Sequence, residues 1–538
     1  MPGIVVVGLD GASPTLIQRW RSDLPNLDRM LVKGAHGQLE STMPPVSCPA
    51  WPSFSTGKNP GKLGVYHFYN LSKNGQVEIA NSSKFVDSCI WTILGERGLR
   101  VGVFCVPGTY PPTEVKGFMV SGFPTPFGSA ITYPSELQRE LDALVGGFEV
   151  DLSFFGAFHP DKLSGGRRAY LNQLERFHEK NTRAIRYLIS KYEFDFFVAV
   201  FREIDLVQHY FWDDPEGIVR DWYIRLDRAL GTITELIPKG SYLFSMSDHG
   251  FGPAGPAFRM NEFLRREGFL SFKRNDRSTK TPAVSRLRRF AASTLPPSAI
   301  GFLKRHSPSW LVTLFSNRAI EMSNLTTLVQ SIDWDKTKAF ALGGDTFRVY
   351  TNSPKTHDVK PSHKDGSGTA EEITASLLRM EERIGQSGVH FETYRRDAIY
   401  SGDYLDDAPD LCVEVFQNGL KCQTGMEVFT DSLFGDPPLA FSGIHRKEGF
   451  WSVTGPDVRE GSTIDASIMD IVPTVLWLFD LPIPSDLDGK PVTAAFRKSV
   501  PPTYGPSRSK AVSREAPDSQ AEDQAKVLER LKALGYLG

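Results

Sequence analysis

The chain is poor in cysteine. Cys48, Cys89, Cys105, Cys412 and Cys422 are scattered over 538 residues without a CxxC step. An odd, sparse set in a long chain excludes a disulfide framework and fits a reducing compartment, so a cytoplasmic setting is expected. Long apolar runs are missing too: stretches such as FFVAVF at 196–201 are far shorter than the roughly 20 residues a bilayer requires. Met1-Pro2 leads straight into IVVV, with no basic stretch, long apolar segment or small-residue cleavage site, so no secretory leader is expected. There is no excess of one charge: 61 Lys and Arg stand against 63 Asp and Glu, a formal net charge of -2. That removes the global basic footprint of a protein that binds nucleic-acid polymers. No internal repeat is visible. What is present, 40% hydrophobic and 23% charged residues, is enough for a large core.

Short apolar runs at 4–8, 101–105, 196–201 and 242–245 alternate with helical patterns such as 174–192 and 215–237. This alternation predicts an α/β fold with a mostly parallel central sheet flanked by helices. Active groups are then expected beyond the carboxyl ends of the strands. The catalytic core is expected over 1–271 and 331–497. Residues 272–330 read as a basic cap or insertion, with Lys273, Arg274, Arg277, Lys280, Arg286, Arg288, Arg289, Lys304 and Arg305 and almost no acids. It is either a solvated basic face or an electropositive cover for an anionic substrate or membrane surface. The Pro-, Ser- and charge-rich 498–520 reads as a linker, and 521–538 as an amphipathic helix docked on the body or on a second subunit of a homo-oligomer.

Chemistry-bearing residues come directly after the strand-like runs. Asp10 follows the first, in VVVGLDG; Asp205 and His209 stand in FREIDLVQH, Asp248 and His249 in FSMSDHG, and His445 in FSGIHRKEG. Asp205 and His209, four apart on a helical turn, share a face and can grip one ion. Asp with neutral His suits zinc and similar first-row metals, manganese included, better than magnesium or calcium. Taken singly, each motif also reads as chance or surface; their joint placement at successive strand ends does not. Ser47, in PPVSCPAWPSFSTGKNPGKLG, reads alone as a turn or cap serine, or as a nucleophile near the start of a helix at SFSTG that metal coordination would activate. Gly57-Lys58 is not a phosphate-binding P-loop, because Pro52 and Asn59 stand where Gly and Ser or Thr are required.

The order Asp, hydroxyl, Asp-x-x-x-His, Asp-His, His resembles that of the alkaline phosphatase superfamily, type I phosphodiesterase/nucleotide pyrophosphatase branch. The chain is also similar to the predicted phosphohydrolases or phosphomutases of that superfamily through GLDGA, VGVFCVPGTYPP, SDHGFGP, MNEFLRREGFL and MDIVPTVLWLFDLPIPSDLDGKPV. The resemblance implies two divalent metal ions, zinc or manganese. Asp205, His209 and His445 would hold one, and Asp10, Asp248 and His249 the other, with the Ser47 oxygen at or between them. It further implies attack by Ser47 on the phosphorus of a small phosphate ester, diester or nucleotide-type, through a phosphoseryl intermediate.

Three positions depart from the family. Ser47 replaces a common Thr; Leu63 replaces a common His; and the phosphoryl-binding Asn falls in register on Phe68, with Asn70 nearby. Lys58, Lys62 and Arg446 are alternative phosphate contacts. A sulfatase is disfavoured because Trp51 stands where its maturation motif needs Arg. A phosphomutase using the same intermediate is the alternative that sequence does not separate. A non-catalytic relic is disfavoured because all seven site positions keep usable side chains.

Overall fold

The structure, a computed structural model, describes residues 3–71, 77–80, 82–126, 128–151, 160, 166–273, 325–351, 366–384, 387–436, 441–508 and 527. A nine-stranded sheet runs in the order Ala466–Ser467, Ala35–Glu40, Glu448–Thr454, Tyr242–Met246, Ile4–Leu9, Phe196–Phe201, Val101–Val106, Gly117–Ser121, Thr132–Tyr133. The five strands from Tyr242–Met246 to Gly117–Ser121 are mutually parallel. Every residue of Ile4–Leu9, Val101–Val106 and Phe196–Phe201 is buried, as a sheet covered on both faces demands. Along the first strand Ile4 and Val6 enter one core, Val5, Val7 and Leu9 the other, following the two-residue period of the pleat. The expected strands are all present, and Gly166–Lys191 and Ile218–Leu236 supply the expected helices.

Beside this central sheet stands a second one of eight strands. It runs Ala339–Leu342, Phe347–Thr351, Leu411–Gln417, Leu420–Gly425, Gly250–Arg259, Phe434–Gly435, with Val389–Arg395 on Leu411–Gln417 and Gly443–Arg446 on Gly250–Arg259. All its pairings are antiparallel except Gly250–Arg259 with Leu420–Gly425. The connections from Leu342 to Phe347 and from Gln417 to Leu420 are too short to carry a crossover helix, so these strands can only form hairpins.

Phe272 bridges Ile332, and Lys273 N–H donates to Ser331 O at 3.0 Å, so the flanks of the basic segment lie side by side. The segment itself lies outside the described residues apart from its ends, which include the helix Leu325–Ser331. The linker expected at 498–520 is corrected in its first part. Tyr504–Gly505 pairs with Ile483–Pro484, and Arg508 forks onto Glu96 at 2.7 and 2.8 Å. The remainder, and the terminal helix, lie outside the described residues except Val527, which is buried. All five cysteines are buried and unpaired. Among the described residues no helix is long and apolar enough to cross a membrane.

Candidate metal centre

Three adjacent parallel strands, Tyr242–Met246, Ile4–Leu9 and Phe196–Phe201, end on the same side and deliver Asp248-His249, Asp10 and Asp205. The helix Glu203–Phe211 presents Asp205 and His209 on one face, with His209 Nε2 3.5 Å from Asp205 Oδ1. His445 arrives from the second sheet. Its strand Gly443–Arg446 pairs with Gly250–Arg259, which starts immediately after His249, and His445 lies opposite Phe251. Its Nε2 stands 3.0 Å from Asp205 Oδ1 and 3.1 Å from His209 Nε2. Its ring stacks on His249 with centroids 3.8 Å apart.

The six ligand candidates form one continuous cluster, with His249 within reach of both ends. The donor atoms of Asp10, Asp248 and His249 lie within 4.8 Å of one another, and so do those of Asp205, His249 and His445. Each ring is oriented by its other nitrogen: Nδ1 of His209 faces Gly443 O at 3.3 Å, that of His249 faces Gly250 O at 3.1 Å, and that of His445 faces Pro45 O at 3.1 Å. A carbonyl only accepts, so each Nδ1 carries the proton; Nε2 of His209 and of His249 is left to offer a lone pair, while Nε2 of His445 faces the Asp205 carboxylate and becomes a ligand once it gives up its proton.

Ser47 is the first residue of the helix Ser47–Thr56, whose ten residues are all buried. The expected start at SFSTG is corrected: that segment ends the helix, and Gly57 closes it in the left-handed conformation at φ 69°. Within the helix Pro49 lacks an N–H, and Ala50 N–H bonds Val46 O at 3.0 Å. The first-turn donors without an intrahelical acceptor are thus those of Ser47 and Cys48. Ser47 Oγ lies 3.3 Å from Asp10 Oδ1 and 3.4 Å from His249 Nε2.

Two supporting residues escaped the sequence reading. Trp51 donates its indole N–H to Asp10 Oδ2 at 3.1 Å. It reaches that carboxylate because Gly8 lets the helix lie directly on the central strand: a Cβ at Gly8 would stand 2.4 Å from the Trp51 ring. Asp345, in the Gly343–Thr346 turn of the second sheet, places Oδ2 3.1 Å from His445 Nδ1. The only signal in the sequence was an Asp in GGDT between two apolar runs, which reads as an ordinary hairpin turn.

The substrate-contact candidates are engaged elsewhere. Lys58 pairs with Asp486 at 2.6 Å and donates to Ser88 Oγ at 3.1 Å; Lys62 pairs with Asp488 at 2.7 Å. Asn70 gives its amide N–H to Gly64 O at 3.2 Å, and Arg446 bonds Pro253 O at 2.7 Å and His445 O at 3.2 Å. Each is held in the scaffold by a partner that the sequence order did not announce.

The electrostatics favour a cation. Asp10, Asp205 and Asp248 are at most 1% exposed, and among the described residues no Lys or Arg is within ion-pair distance of any of them. Burial, reinforced by the charges of Asp248 and Asp205, holds the Asp10 carboxyl well above the usual range. Burial likewise pushes Asp248 up to about 7 and His249 down to about 4. His445 is pulled up to about 10, burial being outweighed by Asp345 and Asp205. Asp248 Oδ2 is buried without a hydrogen-bond partner. Buried carboxylates, an orphaned oxygen and three imidazole Nε2 atoms gathered in one cluster are what a divalent-metal donor set requires, the His445 proton being released when a cation takes its place.

The fold and this cluster define an α/β chain of the alkaline-phosphatase type. The chain belongs to the type I phosphodiesterase/nucleotide pyrophosphatase family, whose sequence model matches residues 4–423. A stretch of 117 residues is 24% identical to ectonucleotide pyrophosphatase/phosphodiesterase family member 3 of Bos taurus, spanning 20% of this chain and 13% of that protein's length. Murine ectonucleotide pyrophosphatase/phosphodiesterase 5 shares the fold, with a TM-score of 0.51 at 12% identity over 92% of this chain and all of that one. An inactive form of that murine protein in complex with AMP gives 0.50 at 11% identity, covering 92% and 98%.

Proposed function

We propose that the chain hydrolyses small phosphate esters, with diester or nucleotide-type substrates favoured, using Ser47 as the nucleophile. The observation that carries this reading is Ser47 Oγ, within 3.4 Å of both Asp10 and His249 at the rim of the buried donor cluster. Asp10, Asp248 and His249 would hold one divalent cation, and Asp205, His209 and His445 a second. Zinc best suits the mixed carboxylate and imidazole donors, with manganese as the alternative. Such ions, when bound, supply positive charge that acidifies the serine hydroxyl and offsets charge building on the phosphoryl oxygens.

The chain's own groups do the rest. Asp10 Oδ1 accepts the hydroxyl hydrogen of Ser47 and orients the oxygen. Trp51 fixes the other oxygen of that carboxylate. Ser47 Oγ bonds to phosphorus as the ester oxygen departs and takes up a proton, leaving a phosphoseryl enzyme. Water then attacks that phosphorus and releases Ser47. The first-turn N–H groups of Ser47 and Cys48 are the donors for a phosphoryl oxygen. The proposed setting is reducing and cytoplasmic, supported by five buried, unpaired cysteines.

The test is hydrolysis of a chromogenic phosphate diester and the matching monoester by the wild type and Ser47→Ala, each with zinc or manganese. Turnover by the wild type that falls on the order of 10³-fold or more in the variant supports the reading. Equal turnover in both proteins overturns it.

A further inference from the structure

The three histidines of the cluster are not held alike. Among the described residues His209 and His249 each meet a backbone carbonyl alone at Nδ1, whereas Nδ1 of His445 faces both Pro45 O and the carboxylate of Asp345, each at 3.1 Å. Pro45 belongs to the segment leading into Ser47. Asp345 belongs to the second sheet. A single imidazole N–H thus joins the nucleophile segment to the turn of the second sheet that carries Asp345.

The turn carrying Asp345 is built to hold that oxygen still. Gly344 N–H donates to Thr424 Oγ1 at 3.0 Å, which donates back to Gly344 O at 2.6 Å. Thr346 Oγ1 donates to Glu414 at 3.0 Å. Glu414 in turn accepts from Lys421, whose ammonium also donates to the backbone oxygen of His445 at 3.2 Å. Side chain and backbone of His445 are therefore gripped by the same sheet. Gly344 sits at φ +140°, and a Cβ there would stand 2.6 Å from His67 Nε2, so the turn excludes a side chain at this position.

We propose that Asp345 is a positioning residue that fixes the ring of His445, and so tunes one of the two metal sites, through its hydrogen bond to Nδ1. This rests on the metal reading given under Proposed function. A carboxylate on the far nitrogen locks the tautomer and makes Nε2 a stronger donor than a carbonyl partner does. Loss of such an outer partner costs about 10- to 100-fold in metal affinity. Because Asp345 touches His445 and neither Asp10 nor Asp248, the loss falls on one ion only.

The experiment uses the full chain as wild type, Asp345→Asn and Asp345→Ala. Zinc affinity is measured by competition with a chromophoric chelator that resolves two ions, alongside thermal unfolding of the chelated proteins. The expected result is two bound ions in the wild type. In Asp345→Ala one affinity falls about 10- to 100-fold and the other is unchanged. Asp345→Asn, which keeps an acceptor without the charge, gives a partial loss; the metal-free midpoint falls in Asp345→Ala, since His445 loses a buried partner, but a loss of stability alone does not single out one ion. Two unchanged affinities in Asp345→Ala overturn the inference and leave the metal reading standing. A parallel fall of both affinities also overturns it, since that marks a structural role. A wild type that binds no zinc overturns the metal reading itself, and the inference with it.

Discussion

Replacing Asp248 with Asn should change stability in opposite directions in the presence and absence of metal. In the metal-free protein burial holds the Asp248 carboxyl at about 7, against about 3.9 in an unfolded chain. A carboxyl raised in this way contributes stability that is fully present below the unfolded value and is lost as pH rises through the folded one. Between pH 5 and pH 7 the unfolded chain has already released the proton and the folded one has not. Two pH units at about 1.36 kcal/mol each give a loss of about 3 kcal/mol, nearly complete by pH 8. Asparagine does not titrate, and its oxygen still accepts the Gly11 N–H that Asp248 Oδ1 takes at 3.1 Å. The stability of Asp248→Asn minus that of the parent should therefore widen by about 3 kcal/mol from pH 5 to pH 8 in the variant's favour. With zinc in excess the sign reverses, because the variant has lost a charged ligand and gains less from binding. Denaturant unfolding followed by tryptophan fluorescence, at both pH values with chelator and with zinc, reads all of these quantities. A difference that stays constant with pH in chelator would refute the reasoning, because burial of an uncompensated charge would then not be what the site carries.

Two further outcomes rest on single contacts. Trp51→Phe keeps the ring packed on Gly8 but removes the N–H donated to Asp10, so zinc affinity and turnover should fall while the fold persists; a chelator competition that matches the wild type would count against that bond. Lys58→Met leaves Asp486 unpaired and should lower unfolding stability by about 1–3 kcal/mol with KM unchanged, whereas a raised KM would return Lys58 to the substrate.

Much of the centre was legible in the chain because its ligands are local to strand ends. A parallel strand buried on both faces must be an apolar run, and the residues next in the chain must emerge at the carboxyl edge. IVVVG then Asp10, FFVAVF then Asp205, and YLFSM then Asp248 were therefore visible before any contact was known. The four-residue step from Asp205 to His209 fixed a shared helical face in the same way.

The rest depended on residues far apart in sequence. That the three strands are neighbours, in the order Tyr242–Met246, Ile4–Leu9, Phe196–Phe201, was a matter of sheet pairing. Trp51 found Asp10 because Gly8 removed the side chain between them, a contact carried by shape and not by any motif. Asp345 and His445 meet across 100 residues through a hairpin sheet whose short turns carry no chemical signature. Lys58, Lys62 and Arg446 looked available to a phosphate until the fold brought carboxylates and carbonyls to them. Sequence determined which groups could act, because local periodicity places them on strands and helices. Tertiary structure alone decided which polar groups they would meet, because burial pairs each charge with whatever the packing brings within reach.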